Sequence, residues 1–141
     1  MLIPDLNVLV HSVNSDDRNF EASAEWVSSA MNGAETIGLA WVVLVGFVRL
    51  TTSRRVLRAP LDSSEAVDMV RSWQSRSCTV LVEPTARHLD LLQGLLAETG
   101  TGGNLVNDAH IAVLALEHAA TVITYDTDFE RFGVPWERPG R

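Results

Sequence analysis

Short apolar runs alternate with amphipathic segments along the whole chain. Runs of aliphatic and β-branched residues predict strands at residues 2–4, 36–39, 79–82 and 121–124. Apolar residues spaced three or four apart predict helices at residues 6–13, 20–31, 41–50, around 66–73, 85–96 and 105–118. Strands that alternate with helices are typical of an α/β fold with a mostly parallel sheet. The length predicts a single domain over residues 1–141.

Two of these helices need arguments beyond periodicity. Residues 41–50 are apolar enough for a buried helix or a longer strand, and their length favours the helix. For residues 85–96 we expect Thr85 to cap the helix. We expect the four leucines of this segment to face the core, namely Leu89, Leu92, Leu95 and Leu96.

Composition excludes several classes of protein. The chain has 18 acidic and 11 basic residues, a formal charge of −7, which argues against broad electrostatic binding to nucleic acid or to anionic membranes. All 11 basic residues are arginine, so P-loop, Schiff-base and phospho-acceptor receiver chemistry, which need a lysine, cannot operate.

The single cysteine and the apolar runs predict a cytoplasmic protein. Cys78 has no partner for an internal disulfide, and we expect it to act as a small buried hydrophobe. The longest apolar run, residues 37–48, is 12 residues long, too short to span a bilayer. The N-terminus has neither the basic region nor the cleavage site of a signal peptide.

Aspartates follow the first and the last predicted strands. Asp5 ends the first strand, and Asp126 and Asp128 follow the last, where the carboxyl ends of parallel strands meet at one edge of the sheet. Asp108 lies near the start of a late helix, whose dipole favours the ionised carboxylate. Carboxylates so placed would suit Mg²⁺ or Mn²⁺, and water on the ion can attack a phosphodiester. Individually, each aspartate could instead be a helix cap or a turn residue.

Three segments in this order resemble the PIN domain, and more narrowly the VapC toxins of bacterial toxin–antitoxin pairs. They are Asp5-Leu6-Asn7 after the first strand, Asn107-Asp108-Ala109-His110 at the start of a helix, and residues 124–129 after the last strand. The resemblance covers essentially the whole chain. It implies a three-layer α/β/α sandwich of four to five strands, with a short final strand around 134–137. It also implies Mg²⁺-dependent cleavage of RNA, with tRNA or rRNA as the substrate. The implied partners are a VapB-like antitoxin and a second copy of this chain in a homodimer.

The resemblance assigns roles to single residues. It makes Asp5 and Asp108 the principal metal ligands, Asp126 a further ligand, direct or through water, and Asp128 a more peripheral catalytic acid. Asn7 and Thr124 resemble the polar residues that orient water or carboxylates around such a site.

One position departs from the pattern. Many relatives carry a glutamate three residues before an arginine in the helix after the second strand, and Gly46 stands there, before Arg49. This puts a second metal ion in doubt and motivates the alternative of a catalytically silent RNA- or protein-binding module. A phosphatase with an aspartyl nucleophile is disfavoured by the missing lysine.

The densest basic cluster lies in and after the helix at 41–50. Arg49, Arg54, Arg55 and Arg58 could contact an RNA backbone, because arginine binds phosphate in a bidentate manner, or they could be a solvated loop facing an acidic partner. His11 and His110 adjoin the acidic motifs in sequence, but we expect packing or surface roles for both.

Overall fold

The computed structural model describes residues 1–140 and contains one sheet of five parallel strands. The strands are β1 (Leu2–Pro4), β2 (Ile37–Leu39), β3 (Thr79–Leu81), β4 (Thr121–Ile123) and β5 (Trp136–Glu137). The predicted α/β fold with a mostly parallel sheet is confirmed. Each strand is as long as its predicted run or shorter by one or two residues.

Six helices connect the strands. They are α1 (Leu6–His11), α2 (Phe20–Asn32), α3 (Trp41–Thr51), α4 (Ser63–Gln74), α5 (His88–Thr99) and α6 (Val106–Glu117), with 3-10 turns at Gly103–Leu105 and Thr127–Phe132. The choice of a helix for residues 41–50 is confirmed. Asp62 and Ser63 precede the apolar periodicity and are the two predicted caps of α4. The structure shows Asp62 as the cap, in a full capping box with Glu65.

The expectations for α5 are partly wrong. The helix begins at His88, and Thr85 instead accepts a hydrogen bond from the Arg87 amide two residues on, closing a turn before the helix. With this later start, Leu89 projects into solvent and is 76% exposed, whereas Leu95 is buried. Leu92 and Leu96 are half-buried, so the apolar face is narrower than the leucine spacing suggested.

The strand order is β3-β2-β1-β4-β5, so β2 and β3 are added on one side of β1, and β4 and β5 on the other. The order in which strands are added therefore reverses between β1 and β4. Helix α1 contacts α2 and α3, α3 contacts α4, and α5 contacts α6. Because parallel crossovers are right-handed, the two groups lie on opposite faces of the sheet and make three layers. A crevice opens at such a reversal, outside the carboxyl ends of the strands, and is where open α/β sheets bind ligands.

The core lies between the sheet and these helices. Ile3, Leu39, Phe47, Leu114 and Phe129 are each at most 1% exposed, and each such side chain contributes about 1.5–3 kcal/mol through burial. Among residues 1–140, no helix is long and apolar enough to cross a membrane.

Strand β3 lies at the edge of the sheet, which changes the expectation for Cys78. Val80 and Leu81 are each 43% exposed, and Cys78 is only partly buried, with its sulfur 3.4 Å from the Met31 carbonyl oxygen.

Candidate metal centre

Asp5 connects β1 to α1 and lies at the reversal of strand order. Its carboxylate oxygen Oδ1 accepts the Leu6 amide at 2.6 Å and so caps α1, while the residue is 4% exposed. Burial raises its pKa, and the hydrogen bonds from Thr124, Leu6 and Asn7 only partly oppose this effect. The side chain is therefore both a helix cap and a buried acid, and the two roles do not exclude each other.

Asn7 and Thr124 tie the ends of β1 and β4 together around Asp5. The Asn7 amide donates to Asp5 Oδ2 at 2.8 Å and to the Thr124 hydroxyl at 3.0 Å. The hydroxyl donates to Asp5 Oδ2 at 2.7 Å and also accepts the Asp126 amide at 3.0 Å. Thr124 is fully buried, and these bonds use its one donor and both of its acceptor sites. The network fixes the orientation of the Asp5 carboxylate.

Asp108 lies in the first turn of α6 and faces Asp5 across a cleft of about 350 Å³. Its side chain has no hydrogen bond or ion pair to any residue from 1 to 140. Burial, followed by repulsion from Asp5, Asp126 and Asp128, raises the pKa of Asp108 to about 6. The protein thus places Asp108 near other carboxylates, and within residues 1–140 no cationic side chain forms an ion pair with it.

Asp126 and Asp128 follow β4 and occupy different environments. Asp126 accepts the Asp128 amide at 2.8 Å and caps the 3-10 turn, as the turn interpretation of this pair predicts. The Asp128 carboxylate lies 3.3 Å from the Arg131 guanidinium. Arg131 was not singled out from the sequence, although its spacing of three residues on a helical turn is a usable signal.

The donor set fits a hard divalent cation, because carboxylate oxygens are the ligands that Mg²⁺ and Mn²⁺ prefer and the repulsion requires positive charge. Within residues 1–140, however, no three acidic, histidine or cysteine side chains converge into a preformed cage. The fit is therefore one of charge and donor chemistry rather than of a closed coordination shell.

The four arginines grouped by the sequence separate in the structure. Arg49 lines the cleft with Asp5 and Asp108. Arg54 and Arg55 are exposed in the loop after α3 and do not line it. Arg58 lies 3.6 Å from Asp16, so it faces an acidic neighbour.

Gly46 forms the close contact between α1 and α3. A Cβ atom there would lie 2.8 Å from Leu6 Cδ2, so Leu6 occupies the space of a side chain at this position. The wall of the cleft is apolar at this position, where the resemblance implies a glutamate.

Sequence reasoning missed other parts of the cleft. Asn104 and Asn107 line it beside Asp108, and only the adjacency of Asn107 to Asp108 hinted at this. The histidines lie elsewhere, as expected. His11 is 3.0 Å from Asp17, and His110 lies 2.7 Å from His88, where burial and His88 lower the His110 pKa.

The chain is similar to known proteins over nearly its full length. The family model described as the PIN domain matches residues 2–135. Ribonuclease VapC37 of Mycobacterium tuberculosis is 46% identical over 140 residues, which are 99% of this chain and 97% of that protein.

Solved structures share the fold at low sequence identity. The crystal structure of Mycobacterium tuberculosis VapC20, described as a sarcin–ricin loop cleaving toxin, has a TM-score of 0.71 at 15% identity and covers 95% of this chain and 96% of its own. VapBC2 from Rickettsia felis, bound to a promoter DNA fragment, has a TM-score of 0.69 at 19% identity and covers 97% of each chain. The carboxylate arrangement at the sheet edge, the family match and the 46% identity together show that this chain belongs to the PIN domain family and to its VapC branch.

Proposed function

We propose that this protein is the toxin of a toxin–antitoxin pair and acts as a metal-dependent endoribonuclease. Its relatives are named ribonucleases. The observation that carries the proposal is Asp108, a half-buried acid close to other acids that forms no ion pair within residues 1–140. A site of this kind costs the fold stability and is explained by a bound positive ion.

Asp5, Asp108 and Asp126 would hold the ion, which we propose is Mg²⁺, with Mn²⁺ able to replace it. Such an ion makes water a nucleophile near neutral pH and stabilises negative charge on a phosphodiester. Asn7 and Thr124 hold the Asp5 carboxylate in one orientation. Asp128, paired with Arg131, contributes at the edge of the site. Because Leu6 takes the space beside Gly46, we propose one ion rather than two.

Arg49 would bind an RNA phosphate at the cleft, because it lines the same cleft as Asp5 and Asp108. Arg54 and Arg55 would extend this contact along the backbone outside the cleft. The proposed substrates are folded RNAs of the tRNA or rRNA class.

The partner would be a VapB-like antitoxin, since the solved structures with this fold include VapBC complexes. We also propose a homodimer, which would set two sites on one assembly. Gly46 keeps a second candidate function open, a silent module that binds RNA or protein without cutting it.

Sequencing of RNA 5′ ends in cells after brief induction tests the proposal. The native chain should generate new ends at discrete sites, and Asp5→Asn should not. Asp62→Asn is the matched control, since it is also an acid-to-amide exchange at a helix cap, where asparagine caps as well as aspartate. Equal new ends from Asp5→Asn would overturn the assignment, and none from the native chain would favour the silent module.

A further inference from the structure

Three polar side chains, of which His88 and Glu117 are buried and His110 is half-buried, form a hydrogen-bonded network between α5 and α6. His88 Nδ1 lies 2.7 Å from Glu117 Oε2, and His88 Nε2 lies 2.7 Å from His110 Nδ1. The Glu117 carboxylate also accepts the backbone amide and the hydroxyl of Thr85. His88 is 6% exposed and the Glu117 side chain 3%, so water does not compete for these bonds.

The polar groups of these three side chains are hydrogen-bonded to one another. Burial raises the pKa of Glu117, but the hydrogen bonds from His88 and Thr85 outweigh it and leave that pKa below its usual value. The carboxylate is thus ionised, and it accepts the Nδ1 proton of His88. The remaining nitrogen of His88 then binds His110. An interlocked buried set of this kind holds its members in a single geometry.

Helix α6 is held against the sheet by apolar packing and has no side-chain cap at its N-terminus. Its N-cap, Leu105, makes no side-chain capping bond, and the loop before it contains Gly100, Gly102 and Gly103. The core-facing side includes Ala109, Ala112, Val113 and Leu114, which are all at most 1% exposed. Apolar burial has no preferred direction, whereas a hydrogen bond does.

Asp108 precedes His110 by two residues, which places the two side chains about 200° apart around the helix. Asp108 faces the cleft, and His110 faces α5. A rotation of α6 that breaks the contact between His110 and His88 also turns Asp108 out of the cleft.

We propose that Glu117, His88 and His110 form a positioning network that sets the rotation of α6 and so keeps Asp108 facing Asp5 and Asp126. The proposal rests on the proposed function, since it gives the network its purpose. None of the three residues contacts the cleft, so they act through Asp108.

The test compares His110→Leu with His110→Asn, because the asparagine side chain can replace the bond made by Nδ1. Three quantities are measured: Mn²⁺ affinity by calorimetry, kcat and KM for RNA, and amide hydrogen exchange of residues 104–109 in metal-free protein. His110→Leu should weaken Mn²⁺ binding about tenfold and lower kcat similarly with KM nearly unchanged, as for residues that orient metal ligands. Its amides should exchange faster, and His110→Asn should recover most of each loss.

His118→Leu is the matched control, since His118 bonds only to the Glu83 carbonyl at the other end of α6. It should leave all three quantities unchanged. If His110→Leu does not fold, His88→Gln and Glu117→Gln replace it, with the same expectations for each quantity.

The positioning role would be overturned if a folded variant of His110, His88 or Glu117 kept the Mn²⁺ affinity, the kcat and the amide exchange rates of the native chain. A loss that His110→Asn fails to recover would also overturn it. If the native chain binds no Mn²⁺, the proposed metal centre fails, and the exchange measurement still decides whether the network holds α6.

Discussion

At Asp108 the fold buries an acid beside other acids. The pKa of Asp108 is raised to about 6 from 3.8 by burial and by its acidic neighbours. Because the folded chain then holds this proton more tightly than the unfolded chain, the contribution of Asp108 to stability is most favourable below pH 3.8 and is lost as the pH rises through 6. At neutral pH the ionised Asp108 therefore lowers the free energy of unfolding of the metal-free protein.

Asp108→Asn should therefore stabilise the metal-free protein while abolishing cleavage. In EDTA at pH 7.5 we expect the free energy of unfolding to rise by about 1–2 kcal/mol, a figure reduced for the partial exposure of the side chain. Denaturant unfolding of both proteins measures it, and at pH 4 the difference should vanish. A metal-free variant that is less stable than the native chain at pH 7.5 would contradict this explanation.

Thr124 tests the network that orients Asp5. Thr124→Val keeps the shape but removes the donor to Asp5 Oδ2 and the acceptor of the Asn7 and Asp126 N–H groups, so we expect a loss of about 1–3 kcal/mol in stability. Mn²⁺ affinity should fall about tenfold or more, because the Asp5 carboxylate loses a group that holds it. Thr121→Val is the control, since it is the same exchange in β4 at a side chain without a hydrogen bond to residues 1–140. Equal effects of the two variants on Mn²⁺ affinity would argue against the orienting role.

At the scale of elements, local patterns predict the strands and most helices because periodicity and capping act within a few residues. The capping box of Asp62 and the helix at 41–50 are examples. The prediction that Leu89 faces the core is wrong, because the exposure of a side chain depends on where α5 packs. The sequence of α5 alone does not encode that position. The proximity of Asp5 to Asp108 depends on the order of the strands, which local patterns do not give. The contact of Leu6 with Gly46 and the hydrogen bonds that link Glu117, His88 and His110 join distant parts of the sequence and have no local signal.

Helix α4 provides a prediction that separates stability from function. Asp62→Ala removes the side chain that accepts the Ser64 amide and ends the reciprocal capping box. We expect a loss of about 1 kcal/mol in the free energy of unfolding. RNA cleavage at a temperature well below the melting transition should stay at the native rate. A fall in rate without a change in stability would mean that α4 takes part in the site.

For the whole molecule, the formal charge of −7 hides an uneven distribution. Four of the acids lie after β1, after β4 or in the first turn of α6, near the carboxyl ends of the inner strands. Arg49, Arg54 and Arg55 lie in and after α3. A single divalent ion brings the formal charge from −7 to −5 and acts where repulsion is strongest. The acidic balance, which alone argues against RNA, is consistent with a site that requires its metal ion.

Mn²⁺ should accordingly stabilise the whole fold in a pH-dependent way. At pH 7.5 and at 100 times its dissociation constant, Mn²⁺ should add about 2.7 kcal/mol to the free energy of unfolding. The stabilisation should fade below pH 6, because protons compete with the ion for Asp108. Thermal melts with Mn²⁺ or EDTA across pH 5 to 8 measure it. Equal stabilisation of Asp108→Asn would place the ion elsewhere.

Cleavage of a folded RNA as a function of Mg²⁺ concentration, with the native chain and Asp108→Asn compared in parallel, decides whether the protein is a nuclease that depends on a metal ion held by Asp108. We predict no cleavage by the native chain in EDTA, a rise with Mg²⁺ to saturation, and a rate at least about 100-fold lower for Asp108→Asn at every concentration. Cleavage by the native chain in EDTA, or equal cleavage by Asp108→Asn, would contradict the account.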